Sequence, residues 1–276
     1  MKILIPPIKS QGIKTKLVPW IKSFVPEKLT GKWIEPFMGS GVVGFNTLPY
    51  PKLMNDINPH LINFYNAVKS GEITPDITRN FLEKEGNLLS DIGESHYYSV
   101  RERFNKYGHP LDFLFLNRAG FNGMIRFNRK GNYNVPFCRK PERFSRSYIT
   151  RISNQVAGIQ KTIFSSPHEF LCFPFEKIIT EAVSDDFIYC DPPYVDRYAD
   201  YFNGWTHEKE RKLFKLLNNF NGRFIVSSWH HNKYRKNEFI DILWSNFTIH
   251  TMNHFYHVGG SAENRNLMTE ALITNY

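Results

Sequence analysis

The sequence predicts an α/β domain interrupted by a helical and hairpin insert, and three stretches of the chain support this. A short strand over Lys32-Trp33-Ile34 runs into a glycine turn, Met38-Gly39-Ser40-Gly41-Val42-Val43-Gly44. A second strand, Lys52-Leu53-Met54, ends at Asn55-Asp56, and together they have the punctuation of a nucleotide-binding βαβ start. Helical periodicity follows, with Leu61, Ile62, Phe64, Tyr65 and Val68 at helical spacing. After Arg151 the alternation of strands and helices returns. Residues 1–56 and 151–276 are therefore assigned to one α/β domain and residues 57–150 to the insert.

In chain order, a short helix is expected after the glycine turn. Scattered charges on a helical period continue to about Leu111. Glycine, asparagine and arginine dominate from Asp112 to Arg146, and the turn signal Lys130-Gly131 between two stretches predicts a β-hairpin. Phe187-Ile188-Tyr189-Cys190 reads as a buried strand. His207 to Asn218 reads as an amphipathic helix capped by Thr206, with Glu208 and Glu210 in its first turn. Phe224 to Ser228 and Glu270 to Tyr276 complete the strands.

Composition narrows the function classes. The 276 residues are 41% hydrophobic, enough for a sizeable core. The aromatic share is 16%, with 24 Phe and 14 Tyr, a surplus that suits base stacking as well as core filling. A net charge of +9 favours polyanionic partners. Cys138, Cys172 and Cys190 form no CxxC pair, as expected of thiols in a reducing compartment. Pro6, Pro7 and Lys9 break the N-terminal apolar run, so no signal peptide is expected, and no run approaches the ~20 residues of a membrane span. A soluble, cytoplasmic protein, monomeric in solution, is the expectation.

Three motifs carry chemistry. In Glu35-Pro36-Phe37-Met38-Gly39-Ser40-Gly41, glycines after a strand let the backbone approach a ligand. Gly39-Ser40-Gly41-Val42-Val43-Gly44 is formally GxGxxG, and the Lys-Ser/Thr pair of a P-loop is missing. Asp56, at the end of the second strand, can accept from both hydroxyls of a ribose, so this half of the chain points to an adenosine-containing cofactor without specifying it. A structural glycine turn with a helix-capping Asp56 is the alternative.

The second motif, Asp191-Pro192-Pro193-Tyr194, follows a strand. Two prolines stiffen the backbone and remove donors. The carboxylate and a proline carbonyl can then accept both hydrogens of an amino group while Tyr194 offers a ring to a planar base. A rigid turn would also use Asp-Pro-Pro. The third motif runs from Asn117 to Arg146 and interleaves Phe121, Phe127, Tyr133, Phe137 and Phe144 with eight Arg/Lys and one acid, Glu142. A two-stranded ribbon fits a major groove, Arg and Asn read guanine and adenine edges, and an aromatic tip can wedge into a stack. A solvated basic hairpin is the alternative.

Two rival functions fit parts of the sequence. A nicotinamide-dependent oxidoreductase would use the glycine loop but leaves the basic hairpin unexplained. A non-catalytic DNA-binding protein leaves Asp191 to Tyr194 unexplained. His230-His231 and His254-x-x-His257 have no Cys pair or Glu-rich partner, so no metal is expected.

Taken together, these residues resemble the Dam-like (class D12) adenine-N6 DNA methyltransferases. The matching blocks are Pro6 to Ile21, Trp33 to Asn46, Met54 to Tyr65, Phe115 to Phe137, Phe187 to Tyr194 and Glu270 to Tyr276. Asn117-Arg-Ala-Gly-Phe-Asn-Gly and Asn134-Val-Pro-Phe are the most specific. The resemblance implies a Rossmann-like S-adenosylmethionine-dependent methyltransferase core with an inserted DNA-recognition domain, acting on an adenine flipped from double-stranded DNA. A restriction endonuclease is the implied functional partner. Asp191, Pro192, Pro193 and Tyr194 match the catalytic motif. Ser10, Lys14, Glu35, Phe37, Gly39, Gly41, Asp56, Phe175 and Asp191 match cofactor positions. Lys14, Arg118, Phe121, Asn122, Met124, Arg126, Asn128, Arg129, Lys130, Pro136 and Arg139 match or adjoin DNA-contacting positions. The chain departs from the family pattern at Ser10-Gln11-Gly12-Ile13-Lys14, where an aromatic and a second glycine are usual, and at Pro174-Phe175, where Asp-Phe is frequent.

Overall fold

The computed structural model describes residues 2–48, 50–194, 205–257 and 265–276. Seven strands form one sheet: β1 (Trp33–Glu35), β2 (Lys52–Asn55), β3 (His168–Leu171), β4 (Phe187–Cys190), β5 (Arg223–Asn232), β6 (Thr248–His257) and β7 (Arg265–Thr274). Their order is β3-β2-β1-β4-β5-β7-β6. The first five of these are parallel, and β7 runs antiparallel to both of its neighbours.

Side-chain alternation explains why both faces are covered. Trp33, Phe187, Tyr189 and Ile225 point to one face, where Leu17, Val18 and Ile21 of α1 (Val18–Lys22) and its approach pack on them. Ile34, Ile188, Phe224 and Val226 point to the other. There they meet α7 (Phe175–Glu181), α8 (His207–Asn218) and Trp244, which follows α9 (Glu238–Leu243). A parallel sheet needs this double cover, because each of its strands is apolar on both sides. β1 lies between β2 and β4, so the strand order reverses there and a crevice opens beyond the carboxyl ends of those strands.

The helical block comprises α2 (Pro59–Ser70), α3 (Pro75–Ile92), α4 (Glu94–Tyr107), α5 (Pro110–Ala119) and α6 (Arg146–Ser165). Local signals set its boundaries. Asn58 accepts from the His60 and Leu61 amides ahead of α2, with Pro59 at the first helical position, and Gly71 ends the helix at φ 83°. Inside the block, Arg103 joins Glu85 of α3 to Asp112 of α5, and His96 closes on Glu85 at 2.8 Å. Each charge there has a partner, which a buried charge requires.

Four expectations are modified. The residue 150/151 boundary falls inside the first turns of α6, which starts at Arg146 behind the cap Ser145. The helical block is also continuous with the sheet core: Tyr65 of α2 stacks on Phe170 of β3 at 5.5 Å. The helix expected after the glycine turn is one 3-10 turn, Gly44–Asn46, since Pro49 and Pro51 follow too closely for a longer one. The hairpin forms through isolated antiparallel bridges, Gly120 to Phe137 and Phe127 to Tyr133, rather than continuous strands.

Candidate active site

The glycine loop and Asp191-Pro192-Pro193-Tyr194 leave the carboxyl ends of β1 and β4, so the two motifs meet where the strand order reverses. Asn55, at the end of β2, staples the rim together. Its amide donates to the Pro36 carbonyl and the Phe173 carbonyl, each at 2.9 Å, and its oxygen accepts from the Phe173 amide at 2.9 Å. Tyr65 donates to the Ser40 carbonyl at 2.6 Å and anchors the loop from α2.

Within the loop, Gly39 and Gly41 have φ of 49° and 74°. A Cβ on Gly41 would stand 2.5 Å from the Phe45 ring, whereas one on Gly39 would meet nothing within 4 Å. Backbone at Gly39 therefore faces open space. Asp56 accepts from the Gly39 amide through Oδ2 and from the Asn58 amide through Oδ1, both at 2.9 Å. Burial raises its carboxyl above the ordinary aspartate range, and these two amides counter the rise. Ile57 and Phe173 expose apolar surface after β2 and β3. Phe37, Phe175 and Trp205 pack as a trio with centroids 5.2 to 5.4 Å apart.

Glu35 is 1% exposed and accepts from the Trp33 indole at 2.9 Å. Burial pushes its carboxyl up to about 8. Burial likewise lowers the Lys52 ammonium to about 8, with the charge of Glu35 opposing the fall.

At the mouth of β4, Lys14 is 3% exposed and its ammonium lies 2.9 Å from Asp191 Oδ1. The same ammonium donates to the Gly12 carbonyl and stands 4.9 Å from the centre of the Tyr194 ring. Burial raises the Asp191 carboxyl and Lys14 pulls it back down. Tyr194 donates to Glu270 Oε2 at 2.8 Å, which fixes the plane of the ring from β7. Glu270 is the residue that motif reading missed; a carboxylate inside the apolar run Leu267 to Ile273 was the available signal.

The residues expected on DNA divide. Phe121 is 50% exposed at the tip of the Gly120–Met124 turn, and Asn122 beside it holds φ 52°. Arg129, Lys130, Pro136 and Arg139 are exposed. Arg118 is a correction: it is 3% exposed, and its guanidinium donates to the Pro7 carbonyl and to Gln155 Oε1, so it ties the N-terminal segment to α6. Asn128 is exposed, but its oxygen accepts from the Lys130 and Asn132 amides and shapes the turn. Arg126 donates to Asn134 Oδ1 at 2.9 Å, and Met124 packs partly against the helical core. Ser10 is half-buried. Among the described residues no cluster of three or more His, Cys, Asp or Glu is placed to hold a metal, and no helix is long and apolar enough to cross a membrane.

This sheet, with its glycine loop and Asp-Pro-Pro-Tyr motif at the reversal of strand order, is that of a Rossmann-like methyltransferase. Residues 10–258 match the D12 class N6 adenine-specific DNA methyltransferase family, and the chain belongs to that family. Relatives span nearly all of it. It is 28% identical to the Type II methyltransferase M1.LlaDCHI of Lactococcus lactis subsp. cremoris, covering 97% of this chain and 94% of that one. It is 30% identical to the DNA adenine methylase of Haemophilus influenzae, over 84% and 85% of the two chains. It is also 28% identical to the Type II methyltransferase M.FokI of Planomicrobium okeanokoites, covering 98% of this chain but 42% of that protein. Membership of this family implies S-adenosylmethionine as the methyl donor.

Proposed function

We propose that this protein methylates the N6 amine of an adenine at one short duplex sequence, with the base rotated out of the helix into the crevice beside β4. The observation that carries the proposal is Asp191, held by Lys14 at the reversal of strand order with the Tyr194 ring beside it. The donor suits the residues present: Gly39 leaves its backbone open, Asp56 keeps lone pairs for ribose hydroxyls, and Phe37, Ile57 and Phe173 offer apolar surface to an adenine ring, with the buried Phe175 packed behind Phe37. When bound, it supplies a methyl group on a sulfonium, ready for attack by a nitrogen lone pair.

The chain's own groups prepare that nitrogen. Asp191 and the Pro192 carbonyl accept the two amine hydrogens, which draws the lone pair out of conjugation with the ring. Tyr194, its hydroxyl committed to Glu270, stacks on the flipped base. Lys14, 2.9 Å from Oδ1, favours the ionised form of Asp191 against the opposing effect of burial. Positioning and charge stabilisation supply most of the rate. The bound donor would give up its methyl to that nitrogen with loss of the sulfur–methyl bond, and Asp191 or solvent would take the surplus amine proton.

The segment of residues 57–150 supplies recognition in this scheme, with Phe121 and Asn122 at the stack and Arg126, Arg129, Lys130, Pro136 and Arg139 along the groove. The Type II names of relatives support pairing with a restriction endonuclease. Incubation with methyl-labelled S-adenosylmethionine and unmethylated genomic DNA tests the proposal. N6-methyladenine at one recurring sequence is the expected product. A folded protein that binds duplex but transfers nothing would mark a DNA-binding relic instead.

A further inference from the structure

Beyond the hairpin, a second concentration of charge surrounds the start of α6. Lys140, Arg143, Ser145, Ser147, Tyr148 and Arg151 line an open cavity of about 570 Å³. Its floor is Tyr148. The hydroxyl accepts from Arg143 at 3.3 Å and from the buried Arg118 at 3.4 Å. Three guanidiniums, of Arg118, Arg143 and Arg151, lie 4.9 to 5.8 Å from the ring centre.

Among the described residues no carboxylate forms an ion pair with Lys140, Arg143 or Arg151. This contrasts with Arg103, which sits between Glu85 and Asp112. The phenol reports the resulting field. Burial alone would raise it, yet the surrounding cations of Arg118, Lys9 and Arg143 bring it down to about 8. The amino end of the 20-residue helix α6 opens on the same dish and adds to its positive potential. Cations gathered with no acid among the lining side chains, over a hydroxyl and a helix start, make a site for an anion with several acceptor oxygens.

We propose that this dish, formed by Lys140, Arg143, Tyr148 and Arg151, holds a backbone phosphate of the duplex and sets the register of the DNA without reading its sequence. The inference rests on the duplex-methylating function proposed above. The phosphodiester is favoured over a free nucleotide because the dish follows the hairpin directly in the chain and is open rather than enclosed, as a continuous strand requires.

The test is duplex binding by the full-length protein across a salt series, with the variant Lys140→Gln/Arg151→Gln. Both side chains are exposed and make none of the hydrogen bonds that hold the dish together. Affinity should fall roughly tenfold in physiological salt, equally for target and unrelated duplexes. The log–log salt slope should shrink by about 0.9, the share of the one phosphate no longer neutralised. Arg151→Lys, which retains the cation, should keep the slope. A matching melting temperature confirms that the double variant folds. An unchanged slope, or a loss confined to one sequence, would overturn the phosphate site. A wild-type chain that binds with the full slope yet methylates no adenine would overturn the proposed function and leave the site standing.

Discussion

The carboxyl edge of the sheet and the basic surface beyond α5 treat charge in opposite ways. At the sheet edge the ionisable groups are buried or half-buried and held by partners: Lys14 on Asp191, Tyr194 on Glu270, the Trp33 indole on Glu35. Around the hairpin and the start of α6, Arg129, Lys130, Arg139, Lys140, Arg146 and Arg151 face solvent with scarcely an acid among them; Glu142 is the one acid from Arg118 to Arg146. Buried, paired charge is costly to disturb and holds one geometry. Exposed charge of one sign supplies long-range attraction that salt weakens. The first region is suited to chemistry and the second to capture, so substitutions in the two should produce different kinds of loss.

The largest effect is expected at Asp191. Asp191→Ala removes the acceptor for the target amine and should cut methyl transfer by at least ~100-fold, while gel-shift affinity for duplex stays within a factor of about two. A matching loss of binding would erase the division between the regions. Next is Phe121→Ala at the exposed tip. Loss of one stacking or wedging aromatic is worth roughly 1–3 kcal/mol, so productive binding should fall about 5- to 150-fold while the salt slope stays the same. Fluorescence of 2-aminopurine at the target position measures that step, and an unaltered signal would remove Phe121 from it.

Lys14→Ala is subtler. Without its cation the Asp191 carboxyl rises further, so transfer that needs the ionised form fails at a higher pH as pH falls. The acid limb of the pH–rate profile should move upward, and an unmoved limb would show that Lys14 does not tune Asp191. The smallest effect concerns stability. Burial pushes Glu35 up to about 8 from 4.5, so the folded state keeps a proton that the unfolded chain has released. The stability this contributes is complete below pH 4.5 and is lost as pH rises toward about 8. Glu35→Gln should flatten that decline in thermal melts of the cofactor-free protein.

The same contrast explains what the sequence disclosed. Strands β1, β2 and β4 were legible because apolar runs end there in glycine, Asp56 or Asp-Pro-Pro, and α8 because Thr206 caps an amphipathic period. Lys14 and Asp191 are named by their motifs, but their pairing is not, since it depends on a fold that closes 177 residues of chain. Glu270 and Asn55 act through long-range contacts that leave no local pattern. Arg118 misled because composition counts charge without seeing depth: it lies on the inward face of α5 between Pro7 and Gln155. Tyr148 and Arg151 escaped notice because they lie on a regular helix, where their convergence with Lys140 appears only in three dimensions.

The position of β7 between β5 and β6 has a consequence for how the chain assembles. β6 precedes β7 in sequence but touches the sheet only through it. A ribosome that emits ~5–20 residues per second therefore releases β6 before the strand it must pair with exists. During that interval the outer edge of β5 is open and strand-hungry, a state that favours pairing with another chain. Production of soluble protein should thus depend on how quickly the stretch from Thr248 to Thr274 is completed, and slow codons there would be expected to raise aggregation without altering one residue of the finished enzyme.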